Sequence, residues 1–310
     1  MAVNLTGRVA IVTGAGGGLG RTHALLLARL GAKVVVNDIS SSAQVAGATA
    51  PAQLVADEIV AAGGQAVASH CSVTDFEQVQ AMVAETVRRW GTVDILVNNA
   101  GILRDKTFAK MDLADFRLVL EVHLMGSVHC TKAVWELMRA QNYGRIVMTT
   151  SSTGLYGNFG QSNYGAAKLA LVGFMQSLAL EGARYNIRVN CIAPTAATGM
   201  MEGLLPADAI AVLSPGAVSP AIGALVAEDA PTRMVLCAGG GSFEAAHVTL
   251  TRGIYLGAHD EVSSAIGQRL SDISDRTGEI TPGGAFTQGE VELTNVRAAM
   301  EARAGAKPDA

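Results

Sequence analysis

A glycine-rich turn near the N-terminus limits the folds that this chain can adopt. It reads T-G-A-G-G-G-L-G over residues 13–20, after a short apolar run, 8–13, that predicts a buried strand, and before a predicted helix at 21–30. Glycine allows the backbone to come close to a pyrophosphate, and the first turn of a helix offers it free N–H groups. The turn therefore predicts a nucleotide-binding unit, whose phosphate contacts would come from Gly14, Gly18, Leu19 and Gly20.

Strand-like and helix-like stretches alternate along the rest of the chain. This alternation predicts an α/β fold, a single Rossmann-type doubly wound domain with a parallel sheet of about seven strands and helices on both faces. We expect an NAD-binding domain at 1–240, which includes the catalytic residues and a substrate lid, and a C-terminal extension at 241–310 packed on the same domain. Hydrophobic residues are 49% of the chain, charged residues 16%, and the net charge is −4, which argues against nucleic-acid binding.

The sequence predicts a cytoplasmic enzyme without a membrane span. No uncharged apolar run reaches spanning length, and the N-terminus does not resemble a signal peptide. Cys71, Cys130, Cys191 and Cys237 are far apart in sequence and form no C-x-x-C pair. They are typical of reduced core cysteines, and we expect no metal site.

The second predicted strand, 33–37, ends at Asp38. A carboxylate at this place can accept hydrogen bonds from the hydroxyls of an adenosine ribose, and it would repel a 2′-phosphate. No Lys or Arg stands in the glycine turn or just after Asp38 to attract that phosphate. NAD is therefore favoured over NADP, although Asp38 could also simply begin a turn.

A second cluster of chemical groups follows the predicted strand at 146–150. Ser151 stands at its end, and Tyr164 and Lys168 lie four residues apart in a predicted helix, so their side chains share one face. A tyrosine has a pKa of about 10, and a neighbouring cation favours the phenolate, which can serve as a base. Ser151 would hold a substrate oxygen beside it. A Tyr and a Lys with this spacing can also be mere surface neighbours.

Together with an N-N-A-G turn at 98–101, these features resemble the short-chain dehydrogenase/reductase family. The resemblance implies that Tyr164 is the general base, and that Lys168 lowers its pKa and holds the nicotinamide ribose. It also implies further cofactor contacts: Ser72 and Val73 beside the adenine, Asn99, Ala100 and Gly101 beside the adenosine, and Pro194 and Thr198 beside the nicotinamide carboxamide.

The chain departs from the pattern of the family at three places. Ser72 stands where an Asp is usual, and Thr195 replaces a Gly. His123 stands where the family carries an Asn that anchors a water in a proton relay. A neutral histidine can accept or donate a hydrogen bond to such a water, so we include His123 among the catalytic candidates. The alternative is a packed polar residue without a relay role.

Longer stretches, among them NNAGILRDKTFAK and YGNFGQSNYGAAKLAL, resemble one branch of this family, the (3R)-hydroxyacyl-CoA dehydrogenase units of multifunctional β-oxidation enzymes. That branch also has a histidine at the position of His123. The resemblance implies a (3R)-3-hydroxyacyl-CoA substrate, with Arg104 and Lys106 as candidates to bind coenzyme A phosphates.

Other functions stay open. An apolar, methionine-containing segment at 199–217, interpreted as the substrate lid, would equally suit a 17β-hydroxysteroid or another hydrophobic alcohol. A regulatory nucleotide-binding protein without catalysis is disfavoured, because Ser151, Tyr164 and Lys168 are all present. The family resemblance also implies a homodimer or homotetramer formed through helices within 112–142 and 163–184.

Overall fold

The computed structural model describes residues 2–39, 49–197 and 212–305, and its described strands form one eight-stranded sheet. The strands are β1 (Val9–Thr13), β2 (Lys33–Asn37), β3 (Gln65–Ser69), β4 (Ile95–Asn98), β5 (Gly144–Thr149), β6 (Ile187–Pro194), β7 (Val235–Gly239) and β8 (Ser242–Ala246). Their order is β3-β2-β1-β4-β5-β6-β7-β8. The pairs from β3 to β7 are parallel, and β8 is antiparallel to β7.

Helices cover both faces of the sheet. Neighbouring residues of a strand point to opposite sides, and because the strands are apolar on both sides, each face has to be buried. Ala10 and Val12 belong to one apolar cluster and Ile11 to the other. The first cluster contains residues of α1 (Gly18–Arg29), α2 (Pro51–Ala61) and α8 (Pro215–Val226). The second contains residues of α3 (Phe76–Trp90), α5 (Gly126–Ala140) and α7 (Ser162–Gly182). Shorter helices are α4 (Leu113–Leu120) and α6 (Ser152–Tyr156).

The predicted fold class is confirmed, and β8 is an addition to it. The chain reverses at Gly240 and Gly241, whose φ angles of 57° and 85° favour glycine, and β8 then pairs with β7. The predicted C-terminal extension thus begins with a strand of the same sheet.

The chain divides into two compact units, Met1–Ala246 and His247–Ala310. The described part of the second unit contains α9 (Val262–Gln268), α10 (Leu270–Ile273) and α11 (Phe286–Gly305), and an antiparallel bridge joins Leu250 to Ile280. Whether this unit packs on the first stays a prediction. Among the described residues, no helix is long and apolar enough to cross a bilayer.

The sheet has a switch point between β1 and β4. The chain proceeds outward to β2 and β3 on one side, and to β5, β6 and β7 on the other. In such sheets, ligands bind at the carboxyl ends of the strands near the switch point. The other predicted site residues follow strand ends of this sheet, whereas His123, Tyr164 and Lys168 lie on helical segments. Thr198 and residues 199–211 of the predicted lid lie outside the described residues.

Candidate active site

The glycine turn after β1 packs too closely on backbone atoms for side chains at Gly14 and Gly20. Gly14 has a φ of 62°, and a Cβ there would lie 2.8 Å from Cα of Ala100. A Cβ on Gly20 would lie 2.1 Å from the carbonyl oxygen of Gly14. Gly17, at the N-cap of α1, has no side chain that could cap the helix. The first N–H groups of α1, at Gly18 and Leu19, thus remain available for a phosphate.

The N-N-A-G turn is bound to the glycine turn by hydrogen bonds. The Asn99 side-chain amide donates to the carbonyl oxygens of Thr13 and Gly14, at 3.0 and 3.1 Å. The hydroxyl oxygen of Thr13 accepts from the backbone N–H groups of Asn99 and Ala100, at 3.0 and 3.1 Å. Asn99, predicted as a cofactor contact, therefore shapes the phosphate turn with its side chain, and Thr13 is a partner that the sequence analysis missed.

Asp38 lies at the end of β2, beside the glycine turn. Its Oδ2 accepts a hydrogen bond of 2.9 Å from the N–H of Gly16. A Cβ on Gly16 would lie 2.9 Å from the same oxygen, so glycine is needed for this approach. The structure thus brings the predicted ribose and phosphate residues together at one edge of the sheet.

The predicted adenine residues lie after β3 and contact α5. Ser72 Oγ is 2.9 Å from Thr74 Oγ1. Val73 is buried, and its carbonyl oxygen lies 2.9 Å from Nδ1 of His129. A Cβ on Gly126 would lie 2.6 Å from Cγ2 of Val73, so α5 approaches this loop closely. On the other side of the switch point, Pro194 lies at the end of β6.

Ser151, Tyr164 and Lys168 meet at the end of β5. Ser151 caps α6 by accepting from the N–H of Thr153 at 3.2 Å, and its hydroxyl is near enough to the Tyr164 phenol to lower the pKa of that phenol. The buried Lys168 donates from Nζ to the carbonyl oxygen of Thr149 at 2.5 Å. The same Nζ lies 5.5 Å from the centroid of the Tyr164 ring. The predicted trio is therefore assembled.

Burial controls the charges of this trio. It lowers the pKa of Lys168 to about 7, so a large fraction of this lysine is neutral near pH 7. Burial also raises the pKa of Tyr164, against the smaller, opposing effect of the Ser151 hydroxyl. The sequence predicted the opposite direction for the pKa of Tyr164, because the nearby ammonium is visible in the sequence and the desolvation of the phenolate is not.

His123 lies against Tyr164 in a π-helical turn, Glu121–Met125, which interrupts the long helical region expected at 112–142. The two rings meet edge to face, with centroids 5.2 Å apart. His123 Nε2 lies 2.8 Å from the carbonyl oxygen of Ile102, whereas its buried Nδ1 has no partner among the described residues. Burial, with the Lys168 charge, lowers the pKa of His123 to about 3, so the ring is neutral at pH 7.

The family model described as "short chain dehydrogenase" matches residues 8–208, a range that contains every one of these site residues. The chain belongs to the short-chain dehydrogenase family. It is thus an oxidoreductase, as the resemblance implied, and its site residues can be compared with those of relatives.

Two relatives show how far the similarity of this short-chain dehydrogenase extends. The peroxisomal multifunctional enzyme type 2 of Drosophila melanogaster is 51% identical over 223 residues, 72% of this chain and 37% of the relative. The chain therefore spans little more than a third of that protein. A putative short-chain type dehydrogenase/reductase of Mycobacterium tuberculosis is 47% identical over 242 residues, 76% of this chain and 84% of the relative.

Solved structures agree with the fold of the dehydrogenase. The full-length Drosophila enzyme superposes with a TM-score of 0.78 at 38% identity, over 95% of this chain and 50% of that one. A 7α-hydroxysteroid dehydrogenase in complex with NADH and 7-oxo glycochenodeoxycholic acid superposes with a TM-score of 0.69 at 32% identity, over 77% of this chain and 95% of that one.

Asn163 is a structural residue of the site that the sequence analysis overlooked. It is fully buried, its amide donates to the carbonyl oxygen of Arg104 at 3.0 Å, and its Oδ1 accepts from the N–H of Tyr164. It thus joins the catalytic helix to the loop after the N-N-A-G turn. Its place directly before Tyr164 was the available signal.

Proposed function

We propose that this dehydrogenase interconverts a secondary alcohol and a ketone with NAD, and that its substrate is a (3R)-3-hydroxyacyl-CoA. The observation that carries the proposal is the assembled trio of Ser151, Tyr164 and Lys168. The His123 ring contacts both Tyr164 and Gly101, and it thereby joins this trio to the N-N-A-G turn. The N-N-A-G turn in turn packs on the glycine turn, where Ala100 lies against Gly14. The Tyr164 phenol and the glycine turn lie at the same edge of the sheet, which supports a reaction between a substrate alcohol and a bound nucleotide.

Each residue of the trio has a distinct role in oxidation. Ser151 holds the substrate oxygen, and Tyr164 as phenolate takes the proton of the substrate hydroxyl. The hydride leaves the carbon atom that bears this hydroxyl. Bound NAD⁺ supplies the hydride acceptor. Lys168 would donate to the nicotinamide ribose, and the ammonium form of Lys168 would stabilise the phenolate. The products are a ketone, the reduced cofactor and the proton held by Tyr164.

Asp38 supports NAD over NADP. Its carboxylate lies beside the glycine turn, where it is bonded to the N–H of Gly16. A ribose 2′-hydroxyl can donate to such a carboxylate, whereas a 2′-phosphate would place like charges together.

The acyl-CoA proposal draws on the relatives named multifunctional enzyme and on two exposed cations. Arg104 Nε and Lys106 Nζ both lie near Asp115, at 3.6 and 3.3 Å. A coenzyme A phosphate could replace Asp115 as their partner. The second candidate is a hydroxysteroid, which the likeness to a hydroxysteroid dehydrogenase favours.

The test compares (3R)- and (3S)-hydroxyacyl-CoAs, a 17β-hydroxysteroid and simple secondary alcohols, each with NAD⁺. We expect the (3R)-hydroxyacyl-CoA to have the highest kcat/KM, and a double variant, Arg104→Ala with Lys106→Ala, to raise its KM. If the steroid or a free alcohol is preferred and the double variant leaves acyl-CoA turnover unchanged, the substrate proposal is wrong.

We also propose a homodimer or homotetramer formed through α4, α5 and α7. Leu118 on α4, and Leu169 and Leu180 on α7, are 41%, 48% and 53% exposed, and burial against a second copy would remove this apolar surface from water. Light scattering should give a mass of two or four chains, and Leu169→Glu should reduce it to one.

A cytoplasmic location is likewise a proposal. It is supported by the four cysteines, all of which are free. The names of several relatives place those proteins in peroxisomes. Cell fractionation decides between the two.

A further inference from the structure

Three polar side chains form a chain of hydrogen bonds between α1 and α8. Nδ1 of His23 lies 2.8 Å from Oγ of Ser219, and this hydroxyl donates to Oγ1 of Thr22 at 2.9 Å. Thr22 Oγ1 donates to the carbonyl oxygen of Leu19 at 2.9 Å. His23 and Ser219 are both buried. The chain thus leads from the protein interior to Leu19, whose N–H is one of the groups available for a phosphate at the start of α1.

The protons of this chain have one consistent direction. The carbonyl oxygen of Leu19 can only accept, so the Thr22 proton is used there, and the Ser219 proton is used toward Thr22. The bond between His23 and Ser219 therefore takes its proton from Nδ1 of the imidazole. The reverse order would leave Leu19 without its donor and would place an N–H on the buried Nε2, which has no partner among the described residues. His23 supplies the proton as a neutral ring, since burial lowers its pKa to about 3.

The Thr22 hydroxyl also reaches the first residue of α8. Its Oγ1 lies 3.3 Å from the carbonyl oxygen of Pro215, where α8 begins. Two positions earlier, the carbonyl oxygen of Leu213 accepts from the N–H of Ala197 at 2.6 Å. Ala197 is three residues after Pro194, the predicted nicotinamide contact at the end of β6. Hydrogen bonds therefore connect the phosphate turn to α8, and the segment before α8 to the segment after β6.

The polar chain lies between two helices whose other contacts are apolar. Ala24 and Leu27 of α1, and Val218 and Ile222 of α8, are buried in the same apolar cluster. Apolar contacts have little directional preference, whereas hydrogen bonds require a narrow range of distances and angles. A buried hydroxyl that loses its partner also finds little water to replace it. The polar chain therefore fixes the position of the first turn of α1 relative to α8 more sharply than the apolar contacts can.

We propose that Thr22 and Ser219 are positioning residues for the cofactor, and that they orient the first turn of α1 so that its N–H groups meet the pyrophosphate. The proposal rests on the proposed function for the identity of the cofactor, NAD. Both hydroxyls are turned toward protein groups, so they act through Leu19 and α8. Donors that are already oriented bind an anion more tightly, because less ordering is needed on binding. Loss of the chain weakens cofactor binding and spares proton transfer at Tyr164.

Thr22→Val tests the proposal, because it replaces the hydroxyl with a methyl group of similar shape. We expect the Kd of NADH, measured by calorimetry, to rise about threefold to tenfold, the size of one hydrogen bond. The KM for NAD⁺ should rise with it, while kcat stays within about twofold of wild type. Thr22→Ser keeps the hydroxyl and should restore the wild-type Kd. Ser219→Ala leaves the bond to Leu19 in place and should raise the Kd by less.

Thr86→Val is the matched control. Thr86 of α3 is also a helical threonine, buried on the other face of the sheet, and its hydroxyl donates to the carbonyl oxygen of Met82 at 2.7 Å. The same substitution there removes a similar hydrogen bond and should lower the free energy of unfolding without changing the Kd of NADH. A rise in Kd that occurs in Thr22→Val and not in Thr86→Val thus separates positioning from general destabilisation.

The outcomes distinguish this proposal from the proposed function. Equal Kd values for NADH in Thr22→Val and Thr86→Val refute the positioning role, and so does a lower kcat at an unchanged KM for NAD⁺. If Thr22→Val does not fold, Ser219→Ala replaces it in the same comparison, and equal Kd values again refute the role. If NADH binding weakens as expected but the wild type oxidises no alcohol, the positioning role stands and the proposed function fails.

Discussion

The imidazole of His123 lies against Gly101 at a distance that excludes any side chain there. A Cβ on Gly101 would lie 2.2 Å from Cε1 of the ring. Nε2 of the same ring lies 2.8 Å from the carbonyl oxygen of Ile102. The N-N-A-G turn and the π-helical turn are therefore packed as one unit beside Tyr164, and a change in either should reach the catalytic phenol.

Gly101→Ala tests this packing. The added methyl would have to displace the His123 ring, and overpacking of a closed site typically costs about 1–3 kcal/mol. We expect a lower free energy of unfolding by that amount and a loss of at least about tenfold in kcat/KM. Gly267→Ala is the control, because a Cβ on this α9 glycine meets nothing within 4 Å. If both variants keep the wild-type free energy of unfolding and kcat/KM, the His123 ring can move aside without loss of stability or activity.

Substitutions of His123 itself separate a relay role from packing. Its Nδ1 is buried and has no hydrogen-bond partner among the described residues, so it is the ring atom that a relay role would use. We expect His123→Asn to keep most of the wild-type kcat, since an amide can also bind a water, and His123→Leu to lose much more. The measurement is kcat for both variants under saturating NAD⁺. Equal tolerance of both changes would leave His123 a packing residue.

Tyr164→Phe tests the assignment of the acid/base group. The ring that packs against His123 remains, and only the hydroxyl is lost. We expect NAD binding, measured by calorimetry, to stay within a few-fold of wild type, while kcat falls by about 10²–10⁴-fold. Retention of more than about a tenth of the wild-type kcat would assign the proton transfer to another group.

Asp38→Ala should narrow the preference for NAD over NADP. The variant removes both the ribose acceptor and the charge that repels a 2′-phosphate, and it also frees the N–H of Gly16. We therefore expect kcat/KM with NAD to fall and kcat/KM with NADP to stay equal or rise. The ratio of the two values is the measurement. Equal use of both cofactors by the wild type would contradict the ribose argument.

The sequence predicted those parts of the molecule that depend on local pattern. The bounds of β2 and β3 were correct, because short apolar runs end there at polar residues. The glycine turn was predicted because its glycines are close together in sequence at the start of one helix. The trio was predicted because Ser151 follows a strand and Tyr164 and Lys168 are four residues apart on one helix.

Properties that depend on contacts between distant segments were missed. The π-helical turn is associated with the packing of His123 on Gly101, and nothing in the helical pattern of 112–142 marks it. The direction of the Tyr164 pKa depends on burial and on Asp105, which is 59 positions away in sequence from Tyr164. Gln161 Nε2 likewise donates to Oδ2 of Asp105 at 2.7 Å, and only the folded protein brings these two segments together.

A buried histidine outside the active site gives the protein an acid-sensitive stability. His23 of α1 is fully buried, with Nδ1 2.8 Å from Ser219 Oγ of α8 and Nε2 without a partner among the described residues. Burial lowers its pKa to about 3 from the usual 6.5. Between these values the unfolded chain binds a proton and the folded chain does not. Its contribution to stability is therefore present above pH 6.5 and is lost as the pH falls toward 3.

His23→Asn should reduce this dependence, because an amide can bond to Ser219 and does not titrate. One proton is worth about 1.4 kcal/mol per pH unit, so the free energy of unfolding between pH 6 and pH 4 should fall by about 2 kcal/mol less in the variant than in the wild type. Urea unfolding at the two pH values is the measurement. His123, whose pKa is also about 3, keeps its own contribution in both proteins. The control is His259→Asn, an exposed histidine, which should retain the full wild-type loss. An unchanged loss in His23→Asn would mean that the folded protein accepts a proton on His23 without strain.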